Sequence, residues 1–141
     1  MSDTATTTRN PTAVTRTLGA HSLAYTVAST VAGVAVVLQG VWAGLLVREG
    51  EDYQVRWVQV HDLGAKICIA LALVALVIAV VRLRSRRDLI IGSAVFLVLL
   101  ALEGHLGSLI GDSPAVTAIH FPLAMGLTGL AVWLPFRSRH A

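Results

Sequence analysis

The chain has 141 residues, 55% of them hydrophobic and only 13% charged, with a formal net charge of +3. Its mean hydropathy is +0.74, and a soluble domain of this length carries about twice that charged fraction, so an ordinary water-soluble domain is excluded. The pI of about 9.8 comes from arginines clustered at segment ends. That pattern reports membrane topology and inner-leaflet attraction, and no nucleic-acid partner is expected.

Residues 1–20 are rich in Thr and carry Arg9, Asn10-Pro11 and Arg16 without an apolar block, which predicts a disordered cytoplasmic tail. The tail is not a cleavable signal, because the first apolar run starts late and is too long for a signal core. Four apolar runs follow. Residues 22–47 hold no charged side chain, 67–81 are apolar and extend outward through Leu63 if Lys66 snorkels, 89–102 are clean up to Glu103, and 113–136 carry one histidine and no charge. Each supplies the roughly 20 apolar residues that cross a bilayer as a helix.

The predicted fold is therefore all-α: an integral membrane four-helix bundle running up-down-up-down. The spans fall at about 23–47, 61–82, 89–110 and 114–135, inside one domain of residues 21–137, with 138–141 as a short tail. Ser113-Pro114 has the composition of an N-cap followed by the first helical residue. Orientation follows from the short loops. Eight arginines (9, 16, 82, 84, 86, 87, 137 and 139) fall on one side, against Arg48 and Arg56 on the other. The positive-inside rule then puts both termini in the cytoplasm of a cell whose plasma membrane the chain spans several times.

Three histidines fall at the opposite end. Counted at about 1.5 Å per residue, His120 lies roughly 9 Å below the start of span four and His105 on the order of 7 Å from the end of span three. His61 is the shallowest, just after Val58-Gln59-Val60. Imidazole in a bilayer is costly and usually there to bind something. Spans two and four run in the same direction, so His61 and His120 can face each other across a bundle, as the two axial ligands of a haem iron do.

Short segments carry a resemblance. Val47-Arg48, Trp57-Val58-Gln59-Val60-His61, Leu102-Glu103-Gly104-His105-Leu106-Gly107 and Ala118-Ile119-His120-Phe121 resemble, in order, spacing and sidedness, one four-helix half of the haem A synthase family. The likeness covers residues 36 to about 135. It implies that His61 and His120 bind the iron of a b-type haem. It also implies an oxidoreductase that converts the methyl group of haem O to give haem A for cytochrome oxidase assembly. Most members duplicate the unit into eight spans, so a four-span version would act as a homo-oligomer. The chain departs from the family at three points. Val58 stands where the family has an acid three positions before the first histidine. The paired cysteines of the first outer loop are absent, Cys68 being the only cysteine. Glu103 replaces a third-span glutamine, which makes it the candidate catalytic acid.

Each residue also has a plainer reading. His61 can be a polar end at the interface, and His120 can bond a carbonyl freed by Pro122, whose ring removes the amide that would pair with Ala118. Glu103 and His105 project roughly 200° apart at 3.6 residues per turn, so they do not share a face. Either is a candidate toward the haem, and either can make an interhelical hydrogen bond. Arg48, Arg56 and Lys66 stand where haem propionates would emerge. Asp62 and Lys66 equally form an i,i+4 pair, and Arg48 can pair with Glu49 or Glu51. Trp42, Trp57 and Trp133 fit interface belts. Gly40/Gly44, Gly104/Gly107 and Gly126/Gly129 permit close helix approach. No Cys-x-x-Cys-His attachment motif occurs, so any haem is held non-covalently. Two function classes stay open. One is a haem-binding membrane protein, as an enzyme of the haem A synthase type or an electron carrier. The other is a small non-enzymatic membrane subunit.

Overall fold

A computed structural model describes the backbone of residues 11–46, 51–110 and 113–139, with side chains over 23–46, 55–110 and 113–139. The described chain is all-helical: α1 (Pro11–Leu46), α2 (Glu51–Arg82), α3 (Arg87–Ser108) and α4 (Pro114–Arg139). All four are long and apolar enough to cross a membrane, over Leu23–Leu46, Val55–Arg82, Arg87–Ser108 and Pro114–Arg139. These match the expected spans closely. One boundary is corrected: residues 11–20, expected in a disordered tail, are helical. Pro11 suits a first helical position because its missing amide would have no partner there, and a helix once nucleated adds residues cheaply. Ser113 caps α4 as its position suggests, its Oγ accepting from the Ala115 amide at 3.1 Å.

Each helix packs on its chain neighbours, and α4 returns against α1, so α2 and α4 lie diagonally across the bundle, as do α1 and α3. The surface is that of a protein solvated by lipid. Only 17–22% of the apolar stretch of each helix is buried, while Val98 and Met125 are 65% and 76% exposed. In water such a surface would be untenable; in hydrocarbon it costs nothing.

The interior is built from small and polar side chains instead. On α2, Cys68, Ala72, Ala75 and Ala79 recur at alternating steps of four and three residues and are all buried. Without a hydrophobic drive between helices in lipid, close backbone approach and dispersion hold the bundle, which favours small residues at the contacts. Gly33 serves the same end, since a Cβ there would sit 2.9 Å from the Ala131 carbonyl oxygen, and one at Gly92 would meet Trp133 at the same distance. The pairs Gly40/Gly44 and Gly126/Gly129 do not contribute, because open space lies beside each of them. They face away from the bundle.

The arginine end is tied by polar contacts. Arg86 forks onto both carboxylate oxygens of Asp88 at 3.1 and 3.0 Å, and Arg137 reaches the same carboxylate at 3.0 Å. Arg86 also donates to the Arg137 carbonyl at 3.3 Å, so one acid joins the α2–α3 turn to the end of α4. Deeper in, Tyr25 and Ser93 share a hydrogen bond of 2.7 Å across the bundle diagonal, and Thr26 and Ser138 share another of 2.7 Å between α1 and α4.

The small-residue stripe makes a stability prediction. Ala79→Leu should overpack the α2 seam and cost about 1–3 kcal/mol. Gly126→Ala, on an open face, should stay within about 0.5 kcal/mol of wild type. Reversible unfolding in mixed detergent micelles measures both.

Candidate functional site

At the end away from the arginines, each helix places one polar side chain on its buried stripe. On α1 the stripe runs Tyr25, Ser29, Ala32, Val36 and on to Gln39. On α3 it runs Leu89, Ser93, Phe96, Leu100 and on to Glu103 and Gly107. On α4 it runs from His120 through Leu127, Ala131, Leu134 and Ser138. His61 and Gly64 extend the α2 stripe of Cys68 and the alanines. All four follow the alternating three- and four-residue steps that keep one face of a helix inward. Gln39, His61, Glu103 and His120 are thus register positions of the bundle interior.

The four are joined in two pairs. Between α1 and α2, Gln39 Nε2 donates to the His61 carbonyl oxygen at 3.0 Å. Its amide lies flat on Gly64, where a Cβ would come within 2.8 Å of Nε2. Between α3 and α4, His120 Nδ1 lies 3.0 Å from Glu103 Oε1, the two side chains being 10% and 12% exposed. That contact has the length of a hydrogen bond but not its direction, so both atoms stand unsatisfied as placed. Gly107, one turn along from Glu103, lies beside the ring, a Cβ there standing 3.4 Å from His120 Cε1. His61 and His120 lie within electrostatic reach of each other across the diagonal.

The cluster is unusual for what it leaves unpaired. Gln39 Oε1, His61 Nδ1, both oxygens of Glu103 and His120 Nδ1 are buried without a hydrogen-bond partner. A buried unsatisfied polar atom costs about 1–3 kcal/mol. Several at one level, on four different helices, mark a place where polar atoms are held for something other than packing.

The remaining candidates separate cleanly. His105 is exposed, as its angle from Glu103 requires: with Glu103 turned in, His105 is turned out, and it is not brought to the other histidines. Lys66 is bound to Asp62 at 2.7 Å, both side chains being well exposed. Arg56 is exposed near the start of α2, and Arg48 lies outside the described residues. Val58, the position that the family resemblance assigns to an acid, is exposed on the outside of α2, so an acid there would not reach the interior. Trp42 and Trp57 stack with ring centroids 5.8 Å apart, capping the α1–α2 seam at this end. Gln39 is the member that the apolar pattern hides, because an amide does not interrupt a charge-free run. Its one signal is that an amide in hydrocarbon needs a partner.

No family model, curated protein or solved structure matches the chain.

Gln39 and Gly64 should behave as one unit. Gln39→Leu removes the bond to His61, and Gly64→Ala drives the amide off its seat. Each should destabilise by about 0.5–1.5 kcal/mol, and the double variant by less than the sum, because both lose the same contact. His105→Ala should change stability by no more than about 0.5 kcal/mol. Micellar unfolding of the four variants checks the set.

Proposed function

We propose that the protein binds a b-type haem in the membrane, with His61 and His120 as the axial ligands of its iron. The observation that carries this reading is the placement of two imidazoles on diagonal helices, both on interior stripes at one end, each with a buried Nδ1 that has no hydrogen-bond partner among the described residues. The donor set fits the cofactor. Among the described residues no group of three or more His, Cys, Asp or Glu side chains is placed to hold a bare ion. Haem brings its own equatorial nitrogens and asks the protein for two axial ones. When bound, haem supplies one-electron chemistry at iron. The chain's own part is to hold His61 and His120 in place, through Gln39 at one and Glu103 at the other. Leu100 and Leu127 in the bundle interior keep water away.

With both axial positions taken by histidine, the site supports electron transfer or haem holding at that iron. The haem A synthase reading, oxidising the haem O methyl group with Glu103 as the acid, requires a second bundle for the reacting haem. The open faces at Gly40/Gly44 and Gly126/Gly129 are where a partner copy would approach. A second reading, a non-enzymatic membrane subunit, is favoured by the 3.0 Å approach of Glu103 and His120, which puts a polar pair between α3 and α4 without any ligand. Placement in the plasma membrane with both termini in the cytoplasm rests on the arginine distribution.

Reconstituted with haem, the wild-type protein should show a low-spin spectrum with sharp α and β bands on reduction. His61→Ala and His120→Ala should each abolish or convert it while membrane insertion is kept. If the wild type takes up no haem, or both variants keep its spectrum, the assignment is wrong. In a Cys68→Ser background, a cysteine at Ser113 should label from outside intact cells and one at Ser85 should not. The reverse result would invert the topology.

A further inference from the structure

Glu103 and Gly107 stand one helical turn apart on the interior stripe of α3, and both meet the same edge of one ring. Glu103 Oε1 lies 3.0 Å from His120 Nδ1, and the Cβ direction of Gly107 points at Cε1 from 3.4 Å. The Nδ1–Cε1 edge of His120 is therefore seated against α3. Nε2 is the ring's second nitrogen, one bond beyond Cε1. Phe121 stands edge-on to the ring, with centroids 5.6 Å apart and planes at 74°. At His61, Nδ1 is buried without a hydrogen-bond partner among the described residues, and the main-chain oxygen accepts from Gln39.

We propose that Glu103 is a positioning residue that fixes the tautomer and orientation of His120, holding Nδ1–H so that Nε2 is the atom presented to a ligand. The inference rests on the haem reading for the identity of that ligand, not for the positioning itself. Nδ1 and Oε1 are both buried, both unsatisfied and within hydrogen-bond distance of each other. In a lipid-embedded interior no water replaces a missing partner, so the lower-energy arrangement turns the ring until Nδ1–H donates to Oε1. A neutral imidazole has one N–H, and giving it to Glu103 leaves the lone pair on Nε2. Carboxylates set the tautomer of metal-binding histidines in this way, and their loss typically weakens metal binding about 10–100-fold. Gly107 borders the ring on the same side, where a Cβ would stand in ordinary van der Waals contact with Cε1. Glutamine keeps an acceptor oxygen at the same reach, so Glu103→Gln should preserve the seat and Glu103→Leu should not.

The test combines two readouts on the full-length protein in detergent or nanodiscs. Nitrogen-15 NMR of the haem-free protein should show the Nδ1–H tautomer at His120 in wild type and Glu103→Gln, and its loss in Glu103→Leu. Titration with haem should show Kd raised about 10–100-fold in Glu103→Leu and changed by no more than a few-fold in Glu103→Gln. An Nε2–H tautomer in the wild type overturns the proposal with no variant needed. So does a Glu103→Leu protein that binds haem as tightly as wild type. A wild type that shows the Nδ1–H tautomer but takes up no haem leaves the positioning supported and overturns the haem reading alone.

Discussion

Hydrocarbon offers a polar atom no water to fall back on, and this constraint orders the whole bundle. Every polar side chain buried in the spans must find a partner on another helix, on its own backbone or on a ligand. At the arginine end that requirement is met within the chain. Tyr25 pairs with Ser93, Thr26 with Ser138, and Asp88 gathers Arg86 and Arg137. At the other end it is not met, and Gln39, His61, Glu103 and His120 hold buried atoms in reserve. The asymmetry is what singles out that end as the candidate site.

Much of this was legible before any coordinates. Length, the absence of charge from four runs and the Ser113-Pro114 signal define four spans, because insertion energetics depend on composition and not on neighbours. The inward direction of each helix was not legible. In a soluble bundle the apolar stripe marks the core, but here the lipid face is as apolar as the interior. Met125 and Val98 face out, while Ser93, Cys68 and His120 face in. The glycine pairs illustrate the same point. Gly40/Gly44 have the spacing of a close-contact motif yet open onto space, whereas the isolated Gly33, Gly64 and Gly92 carry the tight contacts. Spacing says that a close approach is possible; only the fold says where a partner stands.

The site was half legible for related reasons. His61 and His120 stand out because imidazole is rare in spans. Glu103 and His105 could not be ranked from the sequence, since at about 100° per residue one of them had to face out and nothing local says which. The register of α3, set by Leu89, Phe96 and Leu100, decides for Glu103. Gln39 was invisible because its role is to meet a main-chain oxygen on another helix, a contact that leaves no trace in the sequence pattern of either partner.

The two histidines are supported unequally, and this follows from where they sit. His61 lies where α2 nears the membrane surface, and its helix is pinned there through the backbone, by Gln39 seated over Gly64. That fixes the position of the residue through its main chain. His120 lies two residues before Pro122, where α4 gives up a backbone hydrogen bond and local rigidity with it. There the ring itself is gripped, by a carboxyl group and a glycine on α3. The two imidazoles are thus placed in different ways, one through the main chain of its helix and one beside a side chain of the neighbouring helix.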